Sequence, residues 1–525
     1  MIKPGIGGPR LNWHEGEHMV KTIQETLQLD TILAAVADLT HSDYAADSLK
    51  KTPVSTALAQ VRQNLALTHE AHELLSQDVL LTFFNLDQIT VIRAKLDQGR
   101  LLTVDQLKAV QATLVNWRRL GTVLRQHATD IPQLMAFLAK QPPLNGLRDR
   151  LDDVLDRNGI RDDATPELAQ LRKDKDKQSR QIQQQLSQFV GKHSHELQGK
   201  QLIRRDQHYC VQLKATYKHR FKGTVMGQSA TGSTVYFEPS TVAKTGLELA
   251  ATLASEDAEV YQILATMTGD VEDHWEDLNK QIDLLSQLDQ IFAKGQYALE
   301  HHAILPKLNG GQTIRIVNGR HPLLGENAVP LNVTLSADQS LMITGANSGG
   351  KTVVLKTIAL FSMMIKLGLE IPADEGTNLA VFNQIAIDIG DQQNMAAQLS
   401  TFSGEMTTLV GITNDLRPNA LILLDEIGSG TDPEEGTALG IAIIQYLVDQ
   451  GAKLVVTTHY TGIKNYAVAQ PHFVIGSMAF NRQTLQPEYR LLLNQVGASE
   501  AMWLAERIGL KPEILALAKQ QLKAD

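Results

Sequence analysis

The sequence predicts a multidomain α plus α/β protein, helical before Pro306 and α/β after it. Three observations carry that expectation. At 525 residues the chain exceeds what one hydrophobic core serves. No proline falls between Pro166 and Pro239, or between Pro239 and Pro306, so both segments are free to form long helices. After Pro306 the texture becomes strand, glycine loop, helix, strand, the alternation of a largely parallel sheet.

Composition narrows the setting. The hydrophobic fraction is 43% and the aromatic fraction only 5%, which favours helices packed through Leu, Ile and Ala. The most apolar run, Ile358 to Ile371, is broken by Lys366 and Glu370. No membrane span is expected. The one cysteine, Cys210, lies in an apolar run and reads as packing, so no intrachain disulfide forms and a reducing cytoplasm is the expected setting. A net charge of -9 excludes a protein basic all over, but not a local basic face. Pro166 to Lys222 is such a face, with thirteen Lys and Arg against five Asp and Glu.

Taken in order, residues 1–18 are rich in glycine and proline and read as a leader, appended or upstream of a second start at Met19. Residues 19–165 read as a helical packing domain, cut into amphipathic stretches by signals such as Ser42-Asp43, Gly99 and Pro142-Pro143, with no chemistry expected there. Residues 166–245 open with a helix, Leu168 to Val190, and continue into β-forming runs at Tyr209–Leu213 and Thr234–Phe237, punctuated by glycines. Residues 246–305 carry a near-heptad seam through Leu264, Met267, Val271, Leu278, Ile282, Leu285 and Phe292. This predicts a long returning helix, with Gly269 as the place where it could break. Two helices joined through a small β-rich tip form a coiled-coil arm, either a spacer or an arm whose basic tip touches a polyanion.

Residues 306–525 hold the chemistry. The strand Leu341–Thr344 runs into GANSGGKT and then a helix, the context that a phosphate loop requires. Gly345, Gly349 and Gly350 free the backbone to aim N–H groups at phosphates, with Ala346, Asn347 and Ser348 completing the loop. Lys351 supplies a cation for the β- and γ-phosphates, and the Thr352 hydroxyl suits magnesium. A second strand, Ala420–Leu424, delivers Asp425 and Glu426 to its carboxyl end, where such sheets bind ligands. Asp425 is read as holding hydrated Mg2+, and Glu426 as the base or water-orienting group. A third strand, Lys453–Thr457, leads to Thr458-His459-Tyr460, with His459 read as sensing the γ-phosphate or positioning water.

These motifs, with GRHPLL (Gly319–Leu324), STFSGEM (Ser400–Met406), DEIGSGTDPEEG (Asp425–Gly436) and TTHY (Thr457–Tyr460) in that order, resemble the MutS family. The transporter-type LSGGQ is absent. TDPEEG, the run Asp388-Ile389-Gly390-Asp391 with Gln393, and SATGSTVYFEP (Ser229–Pro239) are closest to the second bacterial MutS branch, which lacks mismatch-reading front domains. The resemblance covers the chain from about Val20 onward. It implies a P-loop ATPase of ABC type using ATP and Mg2+, a homodimer in which Ser400 reaches the partner's nucleotide in trans, and a helical lever leading to a clamp around DNA. Arg204, Arg205, Lys214, Lys218, Arg220 and Lys222 become candidate phosphate contacts, giving salt-dependent and sequence-tolerant binding.

The chain also departs from the family. Ala346 stands where proline is usual. No Phe is followed two residues later by Glu, so the mismatch wedge is missing and double-stranded branched or recombining DNA is the expected partner. This branch usually carries a C-terminal Smr nuclease module, and the sequence ends at Asp525 before one, as expected either of a shortened chain or of a relative without it; nuclease activity is not expected from this chain. A reading from another class is a ribosome-binding factor whose clamp encloses ribosomal RNA. A coiled-coil ATPase of chromosome-organising type fits less well.

Overall fold

A computed structural model describes residues 23–205, 208–345, 349–389, 398–481, 483–495 and 501–521. They fall into two compact units. One comprises residues up to Leu81, Leu124–Leu138 and Ser286 onward; the other comprises Thr82–Val123 and Ala139–Leu285. The stretch 19–165, expected as a single helical domain, is therefore divided between the units. Packing decides membership, not chain order: in the first unit Thr68, on the helix Leu58–Ser76, donates to the Gly368 carbonyl at 2.7 Å across 300 residues.

The first unit is built on a six-stranded sheet. Its spatial order is Gln384–Asp388, Ala420–Leu424, Lys453–Thr457, Ser340–Thr344, Phe473–Asn481, Gln486–Leu493. The first five strands are parallel and the last is antiparallel. The strands 340–344, 420–424 and 453–457 are buried along their whole length, as near-continuous apolar runs must be when both sheet faces are covered. The helix Lys351–Lys366 follows the phosphate loop and is buried almost all round, with Leu355, Ile358, Phe361 and Ile365 packed in one core with Leu29, Ile32 and Leu65. The chain leaves strand 340–344 towards one sheet edge and later crosses back to 473–481 on its other side. This reversal places a crevice at the carboxyl end of 340–344, where open α/β sheets take their ligands. A smaller four-stranded sheet pairs Lys307–Asn309, Asn378–Ala380, Ile314–Gly319 and Leu331–Leu335.

The second unit contains the arm. The helix Pro166–Lys192 extends the expected Leu168–Val190 at both ends: the Thr165 side chain accepts from Leu168 N, and Pro166 occupies the first turn. A four-stranded antiparallel sheet follows, in the order Leu197–Arg205, His208–Lys214, Thr234–Pro239, Gly223–Gln228. Val211, Leu213, Val235 and Phe237 from this sheet close on Ile182 and Leu186 of the outgoing helix and Val242 of the returning one. The two helices run antiparallel. Thr165 meets Glu259, Arg172 and Lys175 meet Glu256, and Thr245 meets Gln185. Cys210 is fully buried, and burial first, then the nearby Glu238, pushes its thiol up to about 11, so it is packing as expected.

The returning segment differs from the single helix expected over 246–305. It is two helices, Ser240–Asp273 and Trp275–Glu300, and the break is at His274, not Gly269. The His274 ring donates through Nδ1 to the Asp270 carbonyl at 2.8 Å, the acceptor that its own N–H would use in a continuing helix. The His274 N–H turns to Glu272 O instead. Among the described residues no helix is long and apolar enough to cross a membrane.

Candidate nucleotide site

The site gathers at the carboxyl ends of three adjacent strands of the first unit. Gly345 ends the strand 340–344 with φ 116°, and Gly350 caps the next helix with φ 92°. Both values lie in the region that favours glycine. Ala346, Asn347 and Ser348 lie outside the described residues. Gly349 is held against Met478, where a Cβ would come within 2.8 Å of that side chain.

Lys351 is buried, and its Nζ donates to the Gly345 carbonyl at 2.8 Å. Burial lowers its pKa, while Glu426 and Asp425 pull in the opposite direction. Thr352 Oγ1 donates to Asp425 Oδ2 at 2.6 Å, and Thr457 Oγ1 donates to Asp425 Oδ1 at 2.5 Å. The same Thr457 oxygen accepts from Glu426 N at 2.8 Å, so one hydroxyl orients both acids. Glu426 itself has φ 52°, a left-handed conformation that costs a side chain with a Cβ.

His459 Nε2 lies 3.0 Å from Glu426 Oε1 and 3.2 Å from Lys351 Nζ. One ring nitrogen cannot satisfy both. Protonated, it donates to Glu426; unprotonated, it accepts from Lys351. The ring thus lies between the cation and the acid, and its tautomer decides which of them it bonds.

The loop after Glu426 is fixed by contact. Gly428 and Gly436 meet backbone to backbone, and a Cβ on Gly428 would come within 2.6 Å of the Gly436 carbonyl. Asp432 then caps the helix Pro433–Asp449, its side chain accepting from Glu434 N and Glu435 N. The spacing of DEIGSGTDPEEG is a turn closed by two glycines, followed by a helix start.

Two acids to which the sequence assigned no role, Asp388 of the Asp388–Asp391 run and Glu405 of STFSGEM, join this cluster. Asp388 ends the edge strand beside Ala420–Leu424, and its carbonyl accepts from Asp425 N at 2.8 Å. Burial first, then Glu405 and Asp425, pushes its carboxyl up to about 7. Glu405, on the helix Gln398–Asn414, is raised by burial and by Glu426. Ser400 falls in the first turn of that helix, and its side chain lies outside the described residues, as do 390–397.

A cavity of about 280 Å³ opens beside the loop, lined by His321, Leu324, Val329, Val353 and Tyr489 next to Gly350. Burial first, then Lys356, drives the His321 pKa down to about 4. Its ring is neutral at pH 7, and its buried Nδ1 has no hydrogen-bond partner among the described residues. An apolar slot with one orphaned ring nitrogen, next to a phosphate-type loop, fits a nucleobase.

Of the candidate nucleic-acid residues, Arg204, Arg205 and Lys214 sit on strands of the small sheet of the second unit, and Lys218, Arg220 and Lys222 lie in the connection from His208–Lys214 to Gly223–Gln228. Arg204 and Arg205 are exposed and stack over Tyr209 and Tyr236 at 5.7 and 4.7 Å. Lys214 donates to the His195 carbonyl at 2.7 Å, and Arg220 reaches Glu196 at 3.4 Å. Lys218 and Lys222 are exposed.

Comparison with known proteins identifies the family. The family model described as MutS domain V matches residues 341–524. The protein named endonuclease MutS2 from Halothermothrix orenii is 33% identical over 519 residues, covering 97% of this chain and 66% of that protein. The MutS2 endonucleases of Pelotomaculum thermopropionicum and Symbiobacterium thermophilum are each 34% identical, with 65% and 63% of their lengths covered. The chain thus spans just under two thirds of the length of these relatives. A family model lying over the glycine loop, the paired acids and the histidine, together with relatives matched along almost the whole chain, makes this protein a member of the MutS family, in its MutS2 branch.

Proposed function

We propose that the chain is a MutS-type DNA-binding ATPase that works as a nucleotide-timed homodimeric clamp. The observation that carries the reading is the convergence of Lys351, Thr352, Asp425, Glu426 and His459 within hydrogen-bond reach of one another at one sheet end. The loop N–H groups and Lys351 take the phosphates of ATP, and the cavity beside His321 takes the base. Thr352 and Asp425 hold Mg2+, which supplies positive charge against the phosphate oxygens. Glu426 orients the attacking water. His459 moves between Glu426 and Lys351 as the γ-phosphate comes and goes. Ser400 completes the partner's site in trans.

In this reading the arm is the clamp, and Arg204, Arg205, Lys218 and Lys222 are its available phosphate contacts. Lys214 and Arg220 contribute less, because each already has a partner within the protein. Branched or recombining DNA is the proposed cargo, and the setting is the bacterial cytoplasm.

The test mixes Ser400→Ala subunits with Lys351→Ala subunits. One interface of each heterodimer keeps both residues intact, so ATP hydrolysis reappears on mixing. Dimers that form without recovered hydrolysis refute sharing in trans. Binding to homoduplex, junction and single-stranded DNA and to ribosomes at matched salt, with ADP and with a non-hydrolysable ATP analogue, tests the clamp. Affinity that ignores the nucleotide refutes it, and a preference for ribosomes replaces DNA as the cargo.

A further inference from the structure

Away from the nucleotide site, the first unit holds a second cluster of ligating side chains. His69 and His72 lie three residues apart on the helix Leu58–Ser76, so they share a face. Both present Nδ1 to Glu370: His69 to Oε1 at 2.7 Å, and His72 to Oε2 at 2.7 Å. Glu370 follows the turn that ends the helix Lys351–Lys366, and its side chain is fully buried. The His72 side chain is 15% exposed and that of His69 38%. The ligand atoms of all three residues lie within 4.8 Å of one another.

The charge balance of this cluster is unusual. Among the described residues, the basic groups within ion-pair distance of Glu370 are the two imidazoles. Burial alone would raise the Glu370 carboxyl, but the two imidazole N–H groups outweigh it and hold it below its ordinary value. The same contact works on the ring: the hydrogen bond to Glu370 raises the His69 pKa above its ordinary value although burial opposes it, so the buried carboxylate and the imidazoles share one polar cluster. A buried anion is costly unless it is paired or bound to a metal.

We propose that His69 Nδ1, His72 Nδ1 and the Glu370 carboxylate form a site for a borderline divalent transition cation, with Zn2+ as the fitting ion. Imidazole nitrogen selects ions of this class over Mg2+ or Ca2+. Two donors about 2.0–2.2 Å from one tetrahedral ion lie roughly 3.3 Å apart. The two imidazoles meet different carboxylate oxygens at 2.7 Å, and all the ligand atoms lie within 4.8 Å of one another, so gathering them on one ion needs shifts on the order of an ångström. To ligate, each ring gives up its Nδ1 proton: a neutral ring moves it to Nε2, and a protonated ring releases it to solvent. The half-exposed His69 leaves the fourth position open to water. The scaffold is already fixed, because Thr68 holds the Gly368 carbonyl and Asn64 packs against Gly368. The ion would staple the helix Leu58–Ser76 to the turn that closes the helix of the phosphate loop. This inference does not depend on the ATPase reading.

The experiment uses the whole chain, stripped with chelator and then titrated with Zn2+ in the absence of nucleotide. Native mass spectrometry should show one zinc retained per chain in a large excess of Mg2+, and Co2+ in its place should give visible d–d absorption. The His69→Ala/His72→Ala variant should weaken Zn2+ at least about 100-fold, more than changes outside the first coordination shell do. A wild-type chain that takes up no zinc overturns the site, as does a folded double variant that binds as tightly as wild type. If the variant does not fold, zinc K-edge absorption of the wild-type complex decides. Two imidazoles with a carboxylate support the site, and a shell without imidazole overturns it.

Discussion

The Thr352 hydroxyl donates to Asp425 Oδ2 at 2.6 Å, although 73 residues separate the two in sequence. Both are oxygen donors of the kind that magnesium takes, and each already points at the other. Asp425→Asn keeps an acceptor for Thr352 but removes the charge. ATP hydrolysis should fall by about 100-fold or more, the scale of losing one charge-stabilising group, and its Mg2+ dependence should flatten. Steady-state hydrolysis against Mg2+ concentration is the check, and a wild-type curve removes Asp425 from the ion.

Glu426→Gln preserves shape and the backbone bond to Thr457 while removing the carboxylate. ATP binding should persist, and hydrolysis should drop about 100- to 10,000-fold, the range for a general base. Single-turnover hydrolysis with bound ATP measured separately distinguishes this from lost affinity. Normal turnover assigns the water to another group, and His459, 3.0 Å from the Glu426 carboxylate, is then the residue to test.

Much of this site is legible in the chain because it is contiguous. GANSGGKT carries its loop, cation and hydroxyl in eight letters, and Asp425-Glu426 follows an unmistakable buried strand. Asp388 and Glu405 are not legible as chemistry. Both lie in motifs that mark the family, but their closeness to Asp425 and Glu426 appears only when strand 384–388 pairs with 420–424 and the helix Gln398–Asn414 follows. The base cavity is hidden for another reason: Leu324, Val329 and Val353 are apolar, and sequence cannot tell the lining of a slot from a core. His69 and His72 stand out only when Glu370, 301 and 298 residues away, is folded against them. The helix break was legible in kind but misplaced. Glycine inside a helix costs only about 1 kcal/mol relative to alanine and need not break it, whereas the His274 ring takes a carbonyl from the ladder.

Filling the cavity tests the placement of the base. Val353 is 40% exposed, so Val353→Trp enlarges a side chain that already borders open space. Nucleotide affinity should fall about tenfold or more, equivalent to 1.4 kcal/mol. Calorimetric titration with ATP reads it, and unchanged affinity in a folded variant places the base elsewhere.

In the second unit, Glu256 bridges the arm helices, accepting from Lys175 at 2.6 Å and from Arg172 at 3.1 Å. Burial raises its pKa, but the bonds from Lys175 and Arg172 outweigh it, and the net shift is downward. The sign follows. Protonation is disfavoured in the folded arm, so the stabilisation is full above the ordinary glutamate value of 4.5 and is lost as pH falls through the lower folded value. Glu256→Gln should loosen the arm by about 1–3 kcal/mol at pH 7, the worth of hydrogen bonds to a charged group. The difference should shrink below pH 4.5. Amide hydrogen exchange along Pro166–Lys192 reads this, and a gap that persists undiminished in acid rules out the charge as its source.

The left-handed backbone at Glu426 has a consequence for the resting molecule. Holding a residue with a Cβ at φ 52° costs about 1–2 kcal/mol. Glycine would relieve that strain, and the relief exceeds the roughly 0.4–1 kcal/mol it forfeits through a more flexible unfolded chain. A Glu426→Gly protein should therefore melt at a higher temperature than the parent while turning over no ATP. Durability and turnover are opposed at this one peptide, and the native chain sits on the side of turnover.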